Sequence, residues 1–278
     1  MQWFGKGSEN IEDRRGMGGG GLKIGGGIGV IVVILGLFFG QDLTGLMSAL
    51  PTESLQGEGK RGIPTDPEGK FVSGILESTD SVWKAQFTAL GLEYERPTIT
   101  IFEESVPSAC GNASAAVGPF YCPGDHKVYI DLSFYEELKN RFNAAGDFAQ
   151  AYVIAHEVGH HVQNLLGLSE KMEKARRTLS ETDYNRLSVN LELQADFYAG
   201  LWANKAQNLD LFKLDPGDID EALNAANAIG DDKLQKQTQG EVTPDSFTHG
   251  TSAQRMYWFK KGFDTGDFKE GDTFNSNR

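Results

Sequence analysis

The order of hydrophobic and polar positions predicts a few strands followed by a run of helices. Residues 97–103 (PTITIFE) and 127–132 (KVYIDL) alternate between apolar and polar side chains and are rich in Ile, Val, Thr and Tyr, which is typical of half-buried strands. Across residues 133–207 apolar side chains recur at helical spacing, with breaks at 143–146 and 167–169. This order predicts an α+β fold that is mainly helical and has a small antiparallel sheet.

Helical spacing also occurs on both sides of this region. In residues 81–92 (SVWKAQFTALGL) apolar side chains recur every three or four positions and a glycine ends the pattern, so the folded domain is expected to begin near Thr79. Similar patterns cover residues 217–229 and 252–261, and one more break falls near residues 180–182. The later half of the chain is therefore expected to be a set of packed helices.

One apolar segment near the N-terminus has no such periodicity. Residues 24–41 (IGGGIGVIVVILGLFFGQ) contain no charged side chain. At about 1.5 Å per residue, a helix of this length is near the short end of what crosses a hydrocarbon core of about 30 Å. Four basic residues precede it and the next one is Lys60, an asymmetry that predicts a cytoplasmic N-terminus with the rest of the chain outside. A buried core helix is the alternative.

The residues after the apolar segment indicate whether it is retained. Cleavage after Ala49 would place Met47 where a signal peptidase needs a small residue. We therefore expect a retained signal anchor, with a cleaved signal peptide as the alternative. The expected segments are a Gly-rich cytoplasmic tail (1–22), a transmembrane anchor (23–41), a linker (42–78), the main domain (79–263) and a flexible C-terminal tail (264–278).

The composition excludes one class of partner. Lys and Arg number 26 against 39 Asp and Glu, which gives a formal net charge of −13. Nucleic-acid binding depends on clustered basic residues that neutralise phosphates, so no nucleic-acid partner is expected. The apolar content of 39% is that of an ordinary globular protein.

The chain has two cysteines, Cys110 and Cys122, in a Gly- and Ala-rich stretch (ACGNASAAVGPFYCPGD). In the oxidising compartment that the predicted topology implies, such a pair is readily bridged, and closing the loop is worth about 3 kcal/mol in the chain-entropy model. Two free thiols are the alternative. A cysteine-bound metal is disfavoured, because two cysteines without CxxC spacing do not complete a site.

Three of the five histidines fall in residues 155–164 (AHEVGHHVQN). His156 and His160 are four residues apart, so on a helix they lie one turn above the other and can hold one metal ion. Glu157 is one position further round, where it can act on a water molecule without being a ligand. His161 falls outside this motif and is expected either to pack in the interior or to support the ligands from behind. A histidine pair used only for packing is the alternative.

The helix that carries this motif has an apolar side of its own. It is expected to begin at Asp147, an N-cap type of residue, and to end at Gly167. Its apolar stripe comprises Ala151, Ala155, Val158, Val162 and Leu165. The motif is thus expected on a core helix.

Two acidic residues provide a candidate for the rest of the metal site. Glu192 and Asp196 are four residues apart in residues 190–200 (NLELQADFYAG), an otherwise apolar helical stretch. Two carboxylates buried there without a partner would be costly, and a cation explains them. A solvent-exposed acidic face is the alternative. The metzincin arrangement is excluded, because Gln163 stands where it requires glycine.

An HExxH motif followed about thirty residues later by ExxxD on a second helix resembles the gluzincin arrangement. That resemblance implies that zinc is bound by His156, His160 and Glu192, and that Asp196 hydrogen-bonds a ligand imidazole and orients it. Some gluzincins have asparagine directly before the ligand glutamate, whereas this chain has Leu191 there.

More closely, the chain resembles a bacterial family of neutral zinc metallopeptidases along nearly its whole length. The resemblance rests on the Gly-rich N-terminus with its single apolar segment and on five motifs: Cys110-Gly111 with residues 120–123 (FYCP), 128–132 (VYIDL), 155–163 (AHEVGHHVQ), 192–200 (ELQADFYAG) and 249–255 (HGTSAQR). It implies a zincin-like fold and a zinc cofactor but says little about the substrate. The expected partner, a peptide or protein substrate, follows from the mechanism.

His249 is a further candidate catalytic residue. Peptide hydrolysis requires a donor to the oxyanion that forms on the carbonyl, and a histidine outside the metal shell can provide one. A structural or helix-capping role is the alternative. Arg255 and Tyr257 are expected to belong to an amphipathic closing helix.

Taken together, these features predict a membrane-anchored zinc peptidase with Glu157 as general base. Residues 127–132 are expected to pair with an extended substrate. The alternatives are a hydrolase of non-peptide amide bonds and an inactive anchored scaffold that keeps the metal for stability. The glutamate argues against the scaffold, because a purely structural metal site has no use for it.

Overall fold

The structure is a computed structural model that describes residues 1–17, 59–142 and 144–275. The predicted anchor, residues 23–41, lies outside these ranges. Within them, no helix is both long enough and apolar enough to cross a membrane.

Eight α-helices make up most of the described residues, and together with small sheets they confirm the α+β class. They are α1 (Pro67–Ala89), α2 (Ser133–Asn140), α3 (Asp147–Leu165), α4 (Leu168–Thr178), α5 (Glu181–Asn208), α6 (Asp218–Ala228), α7 (Asp231–Gln239) and α8 (Ser252–Thr265). The three predicted breaks between residues 133 and 207 separate α2 from α3, α3 from α4 and α4 from α5.

The strands form one five-stranded sheet and two small pairs. They are β1 (Gln2–Trp3), β2 (Ile11–Asp13), β3 (Lys60–Arg61), β4 (Thr98–Phe102), β5 (Ser105–Ser108), β6 (Gly111–Ser114), β7 (Phe120–Cys122), β8 (Lys127–Asp131) and β9 (Phe212–Lys213). The main sheet has the order β3-β2-β4-β8-β7, β5 pairs with β6, and β1 pairs with β9. Both strands predicted from periodicity, β4 and β8, lie at its centre.

The prediction of an antiparallel sheet is wrong. β4 is parallel to both β2 and β8, while β7 and β8 are antiparallel. The reason is the long connection between β4 and β8. It contains the β5–β6 hairpin and β7, and β7 takes the antiparallel position next to β8, so that β8 runs beside β4 in the same direction.

Helix α1 begins well before Thr79, within the predicted linker 42–78. Asp66 is its N-cap and accepts a hydrogen bond from the Gly69 amide, and Pro67 occupies the first turn, where its missing N–H costs nothing. Most of the helix is buried, including Ile75 and Leu76. The folded part of the chain therefore includes residues 59–78 as well.

Residues 1–17, expected to belong to a Gly-rich cytoplasmic tail outside the main domain, also take part in the fold. β1 pairs with β9, and β2 lies inside the main sheet between β3 and β4. Ile11 of β2 is fully buried. These strands have two and three residues, which is too short for periodicity to reveal them.

The expected C-terminal tail is packed as far as it is described. Helix α8 continues to Thr265, and a 3-10 turn follows at Phe268–Gly271. The Phe268 ring stacks on Tyr198 of α5 with 5.6 Å between centroids, and the Gly271 carbonyl accepts a hydrogen bond from Gln194. Helix α5 thus holds the end of the chain.

Helices α5 and α8 approach each other very closely because each has a glycine against the backbone of the other. A Cβ added at Gly200 would lie 2.0 Å from the Phe259 carbonyl oxygen, and one at Gly262 would lie 2.1 Å from that of Phe197. Only hydrogen fits in these positions. This crossing brings α8 against the face of α5 that carries Asp196.

Candidate metal centre

The HExxH residues lie on the predicted helix, and its apolar side is in the core. α3 begins at Asp147 and ends at Leu165. The side chains of Ala151, Ala155, Val158 and Val162 are at most 1% exposed. Gly159 lets α5 approach closely, since a Cβ there would be 3.2 Å from the backbone of Ala195. Packing against the core and against α5 therefore fixes the helix.

The structure brings His156, His160 and Glu192 together. The Nε2 atom of His156 is 3.2 Å from one carboxylate oxygen of Glu192, and the Nε2 atom of His160 is 3.4 Å from the other. One donor atom from each residue lies within 4.8 Å of the other two. A single ion can reach all three.

The other ring nitrogen of each imidazole is held by a hydrogen-bond acceptor. His156 donates from Nδ1 to Asp196 (2.9 Å), and His160 donates from Nδ1 to the side-chain oxygen of Gln163 (2.9 Å). The Gln163 amide is itself oriented, because it donates to the Leu191 carbonyl (2.7 Å). Both Nε2 lone pairs therefore point to the same place. Two such nitrogens and a carboxylate are the donor set of a catalytic zinc site, so these residues fit the ion.

The carboxylates favour positive charge at this place. Burial lowers the pKa of His156, but the Asp196 and Glu192 carboxylates outweigh it and raise the pKa to about 10. Burial would likewise raise the pKa of Glu192, yet the two imidazoles bring it well below its usual range. A metal ion between the two imidazoles would supply the positive charge that these carboxylates favour.

Asp196 is the centre of a fully buried network that sequence reasoning found only in part. Besides His156, its carboxylate accepts hydrogen bonds from the Tyr152 hydroxyl (2.5 Å) and from Nε and Nη2 of Arg255 (2.8 and 2.9 Å). The sequence places Arg255 only in an amphipathic closing helix. The available signal was its position four residues before Phe259 and seven before Gly262, which places a charged residue in phase with the buried face of α8.

Glu157 is buried beside the ligands and lines the cleft. Burial raises the pKa of its carboxyl group, and the neighbouring His160 and His156 only partly offset this effect. A carboxyl group with a raised pKa can accept and release a proton near neutral pH.

His249 lines the same cleft. Its Nδ1 atom is 3.2 Å from the carboxylate of Asp231, which is fully buried and also accepts from the backbone amides of Thr248, His249 and Gly250. Burial lowers the pKa of His249, but the hydrogen bond to Asp231 and the charge of Glu192 raise it above its ordinary value. The cap of α8 is Thr251, not His249. Sequence reasoning missed Asp231.

The ligands open into a cleft of 470 Å³. Apart from the metal cluster, His249 and Arg255, much of its wall is apolar. Contributing residues include Val117, Pro119, Phe120, Phe134, Phe142 and Leu191. The space accommodates a peptide-sized group.

The expectation that residues 127–132 pair with a substrate is wrong, because β8 has a neighbouring strand on each side. Within the described ranges, β7 has no strand beyond it at this end of the sheet, and its Phe120 and Tyr121 line the cleft. His161 fixes this strand. Its Nδ1 atom accepts from the Tyr121 hydroxyl (3.0 Å), and its Nε2 atom donates to the Glu95 carbonyl (2.7 Å). Burial lowers the pKa of His161 to about 4, so the ring is neutral and packs as expected.

Cys110 and Cys122 are bonded to each other, with Cα atoms 5.8 Å apart. The bond links the turn between β5 and β6 to the end of β7. It therefore supports the strand that borders the cleft.

The chain is similar in sequence to known proteins. A family model described as "Putative neutral zinc metallopeptidase" matches residues 1–274. "Uncharacterized protein YpfJ" of Escherichia coli strain K12 is 48% identical over 99% of both chains. "Uncharacterized protein Rv2575" of Mycobacterium tuberculosis strain H37Rv is 42% identical over 208 residues, which are 72% of this chain and 68% of that protein. No solved structure matches the chain.

Proposed function

The chain belongs to this metallopeptidase family, and we propose that it hydrolyses peptide bonds with a zinc ion held by His156, His160 and Glu192. The observation that supports this most is the convergence of the two Nε2 atoms and the Glu192 carboxylate within 4.8 Å, with Glu157 buried beside them. When bound, zinc supplies a Lewis acid that activates water and polarises a carbonyl.

Glu157 acts as general base and then as general acid. It accepts a proton from the attacking water and passes it to the leaving amine. The raised pKa of this carboxyl group supports both steps, because the group takes up the proton readily and remains able to give it back.

His249 donates to the carbonyl oxygen as negative charge develops on it. Its hydrogen bond to Asp231 fixes the ring and favours the protonated form, which leaves Nε2 as a donor. Asp231 thus plays the part of an orienting residue.

The substrate binds as an extended peptide beside β7. Among the described strands β7 is one of the two at the edges of the main sheet. It borders the cleft, and its orientation is maintained by His161 and by the disulfide. An extended chain can add to such an edge through backbone hydrogen bonds. A complex with a substrate analogue that lies away from Phe120–Cys122 would exclude this binding mode.

The test compares Glu157→Gln with the wild-type full chain, using zinc analysis and a peptide-library cleavage assay. We expect the variant to keep its zinc and to lose about 10²–10⁴-fold in kcat, the usual contribution of general acid–base catalysis. Glu170→Gln, at an exposed position on α4, is the matched control and should keep full activity.

Two results would contradict the proposal. Turnover that survives in Glu157→Gln would exclude the role of this residue, and zinc bound by a wild-type protein that cleaves no peptide would favour the scaffold.

His249→Ala, assayed in parallel, should retain zinc and lose about 10²–10³-fold in kcat, as when other oxyanion donors are removed. An unchanged kcat would assign His249 a structural role.

A further inference from the structure

The first seventeen residues are built into the sheet that supports the metal centre. β2 pairs in parallel with β4, with Ile11 opposite Ile99, and antiparallel with β3, with Glu12 opposite Arg61. Within the described residues β3 has no other sheet neighbour, so its place depends on β2. The N-terminal segment is thus an inner strand of the sheet.

Ion pairs join this segment to the rest of the domain. The Glu12 carboxylate is 2% exposed and accepts from Nζ of Lys127 on β8 (2.7 Å) and from Nε of Arg14 (2.7 Å). Arg15 donates to Asp66, the N-cap of α1, at 2.6 Å. The pairs Glu12–Lys127 and Arg15–Asp66 connect residues far apart in the chain, and the Glu12 carboxylate is almost completely withdrawn from solvent.

Helix α1 also packs closely against the N-terminal segment. A Cβ at Gly74 would lie 2.4 Å from the Trp3 ring, so the indole lies directly on the helix backbone. Next to it, Ser73 donates from its hydroxyl to the Ser8 carbonyl (2.9 Å), and the Ser8 amide donates to the Ser73 carbonyl (3.0 Å). The close packing of the segment on α1 therefore depends on Gly74, which leaves room for the Trp3 ring, and on Ser73, which pairs with Ser8.

A sheet cannot be completed by a strand on the other side of a lipid bilayer, because its backbone hydrogen bonds would have to cross the hydrocarbon core. We propose that residues 1–17 are a structural part of the peptidase domain and lie on the same side of any membrane as that domain. A single crossing between residues 17 and 59 is then excluded.

Two of the four basic residues that predicted a cytoplasmic N-terminus have structural roles. Arg14 and Arg15 belong to the ion pairs with Glu12 and Asp66, so they do not mark a cytoplasmic tail. The family model matches the chain from residue 1 through 274, which makes the segment part of the length that this chain shares with its family. These contacts place residues 1–17 with the domain whether or not the protein is an active peptidase.

Cross-linking in intact cells tests the proposal on the full chain. Gln2 lies opposite Lys213 in the β1–β9 pair, and both side chains are exposed, so Gln2→Cys with Lys213→Cys leaves the core untouched. A short, membrane-permeable bismaleimide is added, and the 2–213 cross-link is measured by mass spectrometry. Gln2→Cys with Lys174→Cys, an exposed position on α4, is the matched control.

We expect the 2–213 cross-link to exceed that of the control pair at least tenfold. Equal, background cross-linking in both pairs would overturn the proposal. As an independent readout, each single cysteine variant is treated with a membrane-impermeant maleimide. If both Gln2→Cys and Lys213→Cys are labelled, or neither is, the two positions lie on the same side of the membrane. If only one is labelled, the proposal is overturned. This result does not depend on how well the double variant folds.

Discussion

At the scale of single residues, the candidate site depends on a balance of buried charges. Burial would raise the pKa of the Asp196 carboxyl, but Arg255 and His156 hold it below its usual value, so Asp196 is a carboxylate in the folded protein. It accepts from Tyr152, His156 and Arg255 at once. Its charge is compensated only as long as these donors are present.

Replacing Arg255 by Met should therefore reduce the stability of the metal-free protein strongly. Removing one partner of a buried ion pair leaves the other charge unpaired, which costs about 3–5 kcal/mol. The free energy of unfolding is measured in urea with a chelator present. Arg177→Met, which removes an exposed arginine of α4, should change it by less than about 0.5 kcal/mol. A loss below about 1 kcal/mol in Arg255→Met would show that Asp196 does not need this partner.

The residue scale also shows which parts of the site a sequence can reveal. His156, His160, Glu192 and Asp196 are visible because each pair occupies one helix at a spacing of four, and helical geometry alone places them on one face. Arg255 and Asp231 reach the site from other elements, through packing between helices that local spacing does not encode. Their own neighbours in sequence gave no reason to pair them with the metal site.

At the scale of elements, the α5–α8 crossing determines whether Arg255 can reach Asp196. Gly200 lies one turn after Asp196, and Gly262 lies two turns after Arg255, so the two glycines set the separation of the helices close to the network. Each faces a backbone carbonyl of the other helix at a distance where no methyl group fits.

Gly262→Ala should consequently destabilise the protein despite the better helix propensity of alanine. The new Cβ would meet the Phe197 carbonyl oxygen at 2.1 Å, so the helices must separate, at a cost of about 1–3 kcal/mol or more. Thermal unfolding followed by circular dichroism measures the loss. Lys260→Ala, an exposed change in the same helix, is the control. A midpoint for Gly262→Ala equal to or above that of the wild type would mean that the close crossing is not required.

Element types were more predictable than their pairing. The long helices and the strands β4 and β8 follow from periodicity, because their burial repeats at a fixed interval along the chain. The direction of β8 relative to β4 depends on where β7 lies, and the place of β2 depends on contacts with residues about ninety positions later. Neither the direction of β8 nor the position of β2 can therefore be read from the residues next to it in sequence. Helix α7 was missed because it has few apolar residues and only Asp231 and Gln235 are buried.

At the scale of the whole molecule, the N-terminal segment contributes charge interactions to an acidic chain. Burial alone would raise the pKa of the Glu12 carboxyl, but the hydrogen bonds and charges of Lys127 and Arg14 lower it to about 2. The ordinary value is 4.5. Because the folded state binds the proton more weakly than the unfolded state, ionised Glu12 stabilises the fold at every pH above about 4.5.

This stabilisation should disappear as the pH falls from 4.5 towards 2, where the carboxyl group is protonated in both states. Glu12→Gln has no titrating group at this position. The difference in free energy of unfolding between wild type and Glu12→Gln is therefore expected to be constant from pH 7 to 5 and to shrink as the pH is lowered to 3. Urea unfolding at pH 7, 5, 4 and 3 gives this difference directly. Glu9→Gln, an exposed change three residues earlier, should alter the free energy by less than about 0.5 kcal/mol throughout. If residues 1–17 were a free tail, neither variant would differ from the wild type at any pH; a difference confined to Glu12→Gln and lost in acid would tie the segment to the stability of the whole domain.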